Sequence, residues 1–210
     1  MGENSDLYLV GLNIDKHTAH FACRRDKTLV KAAQGVYFRA GLNAETMFNT
    51  YGIRLARHFF QTAALTHSTA WYKRPTHGRV FIGGNYPFWK AIAPYGGDFK
   101  IVQGIARPVI SDPRMYELVE FQDPLGGFGM YCATPEMLAI QLMEATKTNI
   151  EKHLPKLEMD AILDGLLKKY GGKSQMLATL QEIAEIADKG REFDRLLKYY
   201  LRLDRSSRMR

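Results

Sequence analysis

The hydrophobic pattern is clearest over residues 44–60, where Met47, Tyr51, Leu55 and Phe59 recur at i, i+4, i+8 and i+12, with Phe48, Gly52, Ala56 and Phe60 beside them. That spacing gathers them on one side of an α-helix, which turns once in 3.6 residues. Thr50, Arg54, Arg57 and Gln61 fall on the other side, which predicts a basic edge facing solvent. Small residues follow at Ala63 and Ala64, and Thr66 or Ser68 can cap a second short helix, ended by Lys73, Arg74 and Pro75. The remaining elements are arranged around this helix pair.

Ahead of it, residues 7–12, 19–23, 29–33 and 36–38 are short apolar runs broken by polar or glycine-containing turns, which predict a small β-rich platform. Behind it, 79–82, 99–102, 105–110, 116–121 and 127–131 are strand-like, being aliphatic or aromatic and bounded by Gly, Pro or Asp. A short helix is predicted over 86–92, with Pro87 in its first turn, where a missing N–H costs nothing. The strands predict a mixed or antiparallel sheet with the 44–60 helix against one face. At Thr134, Pro135 and Glu136 the pattern turns helical: a cap, a proline suited to the first position, and an acid at the positive end of the helix dipole. Helices are expected over 135–152, 155–170, 174–188 and 191–203, with stops at Gly171, Gly172 and Gly190. The expected fold class is α+β, with a wing-like β-rich segment over 1–43, an α/β core over 44–133, a helical region over 134–203 and a basic tail over 204–210.

Composition adds a sign to this outline. The 210 residues are 46% hydrophobic, as in ordinary globular chains, and carry 29 Lys and Arg against 22 acids, a net charge of +7. That excess favours anionic partners such as nucleic acid or acidic protein surfaces. The cations fall in three groups: Arg24, Arg25, Lys27 and Lys31; then Arg54, Arg57, Lys73, Arg74 and Arg79; then Lys198, Arg202, Arg205, Arg208 and Arg210. Cys23 and Cys132 make neither a disulfide framework nor a metal set, so both read as small buried hydrophobes in a reducing cytoplasm. Neither an export leader nor an apolar run of membrane-spanning length is recognisable, so no membrane contact is expected.

Candidate chemistry is sparse. His17 and His20, three apart on a strand, would face opposite ways and have no third ligand nearby, so no metal is expected. Cys132 with His58 or His67 would make a nucleophile and base, but no third group orients them. Gly83-Gly84-Asn85 and Gly126-Gly127 match no phosphate-binding pattern, and no cofactor is implied. Glu136 is a candidate general base, but its place straight after Thr134-Pro135 explains it better as a helix-start residue. The aromatic group Trp71, Tyr72, Phe81, Tyr86, Phe88 and Trp89, interleaved with Lys73, Arg74 and Arg79, is mostly core, with Trp71 and Trp89 placed to anchor a partner.

Several pieces then line up in order: Gly35-Val36-Tyr37-Phe38, residues 53–60 leading into Leu65-Thr66-His67-Ser68-Thr69-Ala70, then Gly78-Arg79-Val80-Phe81-Ile82, and later Ala133-Thr134-Pro135-Glu136. Over roughly residues 29–150 this resembles the AbiEi-type bacterial abortive-infection antitoxin family. The resemblance implies a toxin–antitoxin or phage-defence setting, in which an N-terminal winged helix-turn-helix represses the operon and a following domain counters a nucleotidyltransferase toxin. Similar domains precede kinases of the HipA type. In this chain the residues ahead of Gly35 read as strands with no recognition helix, so only the wing of such a DNA reader is expected.

The leading expectation is a non-enzymatic, antitoxin-like regulatory domain, meeting a toxin through Arg54, Arg57, Trp71, Lys73, Arg74, Arg79 and Trp89. The alternative is a repressor of its own operon, with Arg24, Arg25, Lys27 and Lys31 on operator phosphates. A third expectation is an enzyme acting on nucleic acid or nucleotide, with His58, His67 or Glu136 converging in a polar cleft.

Overall fold

The computed structural model describes residues 5–84, 90–93, 97–105, 108, 110–145 and 150–207. The fold is α+β. Strands β1 (Leu7–Leu9), β2 (Leu29–Ala33) and β3 (Val36–Arg39) form an antiparallel sheet in the order β1-β3-β2. Leu7, Leu9, Val36 and Phe38 are buried in its inner side, as the alternation of a half-covered sheet requires.

The expected strand over 19–23 is instead helical. Asp15 caps α1 (Lys16–Phe21), its Oδ1 accepting from Thr18 N at 2.9 Å, and a π-helical turn (Ala22–Asp26) follows, closed by Lys27 in the left-handed region. Capping by Asp15 decides the matter, because only Ala19 of α1 is buried and no sheet face rewards an extended run. His17 and His20 therefore share a helix side and do not oppose one another across a strand; both are exposed.

The helix predicted over 44–60 is α2 (Ala44–Phe59), capped by Asn43, whose Oδ1 accepts from Thr46 N at 2.9 Å. Its apolar side, Met47, Phe48, Tyr51, Leu55 and Ala56, is buried. Phe48 stacks on Phe99 with centroids 5.1 Å apart, fixing α2 across the main sheet. Gly52 lets a loop come close: a Cβ there would lie 2.7 Å from Pro75 Cγ.

The main sheet contains β4 (Ala64–Leu65), β5 (Arg79–Gly83), β6 (Lys90–Ile92), β7 (Phe99–Ile105), β8 (Tyr116–Asp123) and β9 (Gly126–Ala133), in the order β6-β7-β5-β4-β9-β8. It is mixed: β5 runs parallel to β7 and β4 to β9, whereas the other neighbours are antiparallel. Val80, Phe81 and Ile82 are all buried because β5 is covered on both faces, which explains its unbroken apolar run. Residues 90–92 pair as a strand with β7 and so are not the end of a helix; residues 86–89 of that expected helix lie outside the described residues. Of the strand expected over 105–110, Ile105 closes β7 and Ile110 lies in a turn, with 106, 107 and 109 outside the described residues.

Between β4 and β5 runs α3 (His67–Tyr72), and after β9 come α4 (Pro135–Gln141), a 3-10 turn (Ile150–Lys152), α5 (Lys156–Lys169), α6 (Lys173–Ile186) and α7 (Gly190–Ser207). Thr134 caps α4 as expected, with Pro135 at its start, but the helix stops at Gln141 and does not run to 152. Its last turn tightens into i→i−3 bonds, Met143 N to Ile140 O and Glu144 N to Gln141 O, and this frees Glu144 to turn inward. The backbone of α7 continues through 204–207, since neither Pro nor Gly interrupts it. The main hydrophobic core runs from Leu7 to Leu196, joining both sheets and the C-terminal helices, and a small second cluster gathers Ala19, Leu29 and Tyr37. Among the described residues no helix is long and apolar enough to cross a membrane.

Candidate functional site

The short helix α3 is the polar junction of the molecule, and Thr66, His67, Ser68 and Thr69 are all buried. Together they are tied to β5, α4 and the 3-10 turn. Thr66 N donates to Phe81 O, Phe81 N donates to Thr69 Oγ1, and His67 N donates to Gln141 Oε1 in α4. Ser68 Oγ donates to Glu151 O at 2.9 Å and lies 2.9 Å from Thr76 Oγ1, so one hydroxyl joins the α3–β5 loop to the 3-10 turn. Buried polar groups need such partners, because an unmatched one costs about 1–3 kcal/mol.

His67 starts α3 with φ of +50°, a strained conformation for a residue with a side chain. Its Nδ1 is 3.0 Å from Thr66 Oγ1, and its Nε2 is 3.5 Å from Glu144 Oε2, outside hydrogen-bond geometry but close enough for attraction. Burial pushes the ring's pKa down to about 4, against the pull of Glu144. Glu144 also meets the Lys152 ammonium and, at 3.5 Å, that of Lys189. Burial alone would raise its pKa, but the His67 and Lys152 contacts and the two lysine charges outweigh it and hold the carboxyl well below the usual range. Glu136 is buried elsewhere on α4, accepting from Lys169 Nζ at 2.5 Å and Tyr170 OH at 2.7 Å. His67 and Glu136 thus have separate partner sets, and half-buried His58 lies edge-on to the Phe59 ring. Cys132 is buried in β9, where burial pushes its thiol up to about 12 and keeps it protonated.

The far end of α3 opens on a cleft of about 610 Å³. Glu45 and Asn49 of α2, one turn apart, form one wall, the loop from Arg74 to Gly78 forms another, and Tyr72 with Glu158 of α5 forms the floor. Lys73, His77 and Gly78 are left-handed at φ +53°, +49° and +69°. The Tyr72 hydroxyl donates to Glu158 Oε1 at 2.7 Å, whereas Glu158 Oε2 is buried without a hydrogen-bond partner. Burial and that carboxylate push the tyrosine up to about 12. Arg74 lies over the Tyr72 ring, 5.7 Å from its centroid. On the other side of Arg74 and Pro75 a smaller recess of about 190 Å³ reaches Phe121 and Phe128.

The basic group read along the chain divides here. Arg54 does not face solvent: its side chain is 11% exposed, with Nε 2.5 Å and Nη2 2.8 Å from the two Asp123 oxygens, a further bond to Gly126 O, and the Phe128 ring 4.4 Å away. A bidentate acid on the β8–β9 hairpin, distant in sequence, draws the helix edge inward. Arg79 pairs with Asp98 at 2.8 Å, and Arg57 bonds the Gln61 carbonyl. Lys73 and Arg74 are exposed beside the cleft, and Trp71 packs half-buried on the core. Trp89 lies outside the described residues. Arg24 and Arg25 in the π-helical turn, Lys27 after it and Lys31 on β2 are all exposed. Among the described residues no three His, Cys, Asp or Glu side chains gather as a metal set. The sequence reading missed Glu144 and Glu158, since their partners lie far along the chain and each fits a helix end.

No protein-family model matches the chain, and no curated protein matches it.

Proposed function

We propose that this chain is a non-enzymatic, antitoxin-like regulatory domain of a bacterial toxin–antitoxin or phage-defence system, acting in the cytoplasm by protein–protein contact. The observation that supports this reading is the cleft beside residues 73–78, where two charged groups are left without an opposite charge. Arg74 and Glu45 line it, and neither has an ion-pair partner among the described residues. The partner on this reading is a toxin encoded nearby, a nucleotidyltransferase or a HipA-like kinase. Co-expression with the neighbouring gene product tests it: a complex is expected to co-purify and to be lost in the Lys73→Glu, Arg74→Glu double variant. A neighbour that does not bind, or a complex indifferent to that variant, would overturn the reading.

A second reading, repression of its own operon, is favoured by the joint exposure of Arg24, Arg25, Lys27 and Lys31 on one continuous stretch. Phosphate contacts release counterions, so binding to upstream DNA would weaken steeply with salt. Replacing all four residues by alanine is expected to abolish the gel shift, and an unchanged shift would remove this alternative. An enzyme built on His58, His67 or Glu136 ranks behind both, because His67 and Glu136 keep separate partners.

A further inference from the structure

The short helix α1 and the π-helical turn after it turn one face wholly outward. Residues four apart stand in line there, giving two adjacent rows, Lys16-His20-Arg24 and His17-Phe21-Arg25, and all six are exposed. Ala19, Ala22 and Cys23 point the other way and pack with Leu29 and Tyr37 of the small sheet. Lys31 is paired in register with Tyr37, so it lies on the sheet face that carries α1. Between residues 15 and 31 five cations stand against two acids, Asp15 and Asp26. Asp15 is engaged with Thr18 N, and none of the five cations has an ion-pair partner among the described residues.

Charge alone would suit any polyanion, and Phe21 selects among them. Its ring is 42% exposed in the middle of the cations, with the Arg25 guanidinium carbon 5.3 Å from its centroid. A ring left in water gains when a flat apolar group covers it, and the guanidinium beside it is itself a stacking plane. An unpaired base next to its own phosphates matches both features. A duplex keeps its bases stacked on one another, and an acidic polypeptide offers carboxylates without an obligatory ring beside each. The face is also built before anything binds: Asp15 fixes its start, and the N–H groups of Lys27 and Thr28 both donate to Ala22 O. Such π-helical turns are uncommon and occur often at functional sites, and a fixed face saves the ordering cost that a mobile one adds on binding.

We propose that this face binds a single strand of nucleic acid, with phosphates on Lys16, Arg24, Arg25 and Lys27 and a base stacked on Phe21. The site shares no residue with the cleft beside residues 73–78, so it stands or falls apart from the toxin-contact reading. It shares cations with the repressor reading but differs in its ligand, which must carry unpaired bases.

The test uses the full chain and a fluorescein-labelled oligothymidylate of about 15 nucleotides, followed by fluorescence anisotropy. Saturable binding is expected at ~10 μM in ~50 mM salt, with log affinity falling against log salt at a slope of about −2, as three neutralised phosphates on a single strand give. An abasic strand of the same length, which keeps the phosphates and lacks the rings, is expected to bind about fivefold more weakly, the least that one stacked base supplies. A duplex of equal phosphate count is expected to compete less well than the unlabelled strand. Phe21→Leu keeps an exposed apolar side chain and removes the ring. It is expected to bring the thymidylate down to the abasic affinity while leaving the abasic strand unchanged. The Arg24→Gln, Arg25→Gln double variant is expected to weaken both strands about tenfold or more and to flatten the salt slope by about 0.7 for each phosphate lost. Equal binding of the abasic strand and the thymidylate would overturn the proposal, as would a wild-type preference retained in Phe21→Leu or an affinity that the two glutamines leave unchanged. Tighter binding of the duplex than of the strand would overturn it and leave the repressor reading standing.

Discussion

Glu144 and Glu158 both stand where the C-terminal helices meet α3, yet they differ in the donors that reach them. Glu144 has Lys152, Lys189 and the His67 ring around it, whereas Glu158 has only the Tyr72 hydroxyl and keeps one buried oxygen without a donor. The first holds three segments of chain together. The second lines the cleft, with its donorless oxygen enclosed by the fold. Charge counted along the sequence therefore does not distinguish these two glutamates, and pairing within the fold does.

The contrast is tested most severely by Glu144→Gln. Loss of the charge leaves the Lys152 ammonium, 9% exposed, without its acid, and breaking such a pair from one side costs about 3–5 kcal/mol. Urea unfolding is expected to show a midpoint lowered accordingly with an unchanged slope. Glu158→Gln is expected to cost under ~1 kcal/mol, because the amide oxygen still accepts from Tyr72. Equal losses in the two variants would break the comparison.

Acid probes the same node. His67 is neutral in the fold with its pKa lowered from 6.5 to about 4, so between those values the unfolded chain takes up the proton and the folded chain does not. Its stabilisation is therefore full above about pH 6.5 and fades as pH falls toward 4, by at most on the order of 3 kcal/mol. Glu144 acts with the same sign lower down: its lowered pKa stabilises the fold above the usual carboxylate range and is lost on further acidification. His67→Asn keeps a residue that tolerates positive φ and removes the titration, so the slope of stability against pH between 6.5 and 4 is expected to flatten. An unchanged slope would show that other groups carry it.

These two regions also mark how far the sequence could be read. The apolar stripe of α2 was legible because its period and burial agree residue by residue, and the Thr134-Pro135 start of α4 because capping is local chemistry. The segment at 16–26 reads as strand from sequence because residues 19–23 are a short, mostly apolar run of strand length, while Asp15, the actual determinant of the helix, lies outside that run. Arg54 was placed at the surface because helical periodicity is blind to Asp123, which arrives from a hairpin at the far edge of the sheet. The cleft itself needs Glu45, Tyr72, Arg74 and Glu158, drawn from α2, α3, the following loop and α5, and no local pattern announces that meeting.

The smallest effect on stability belongs to Arg74. Exposed, and held only over the Tyr72 ring, it contributes to the fold no more than a surface cation does, so Arg74→Ala is expected to change stability by less than about 0.5 kcal/mol. Arg54, from the same basic group along the chain, supplies the control: Arg54→Ala leaves the Asp123 side chain, 5% exposed, facing a cavity without its cation, and a loss of about 3 kcal/mol is expected in the same urea titration. Equal losses in the two variants would show that the Asp123 pair does not set Arg54 apart from Arg74.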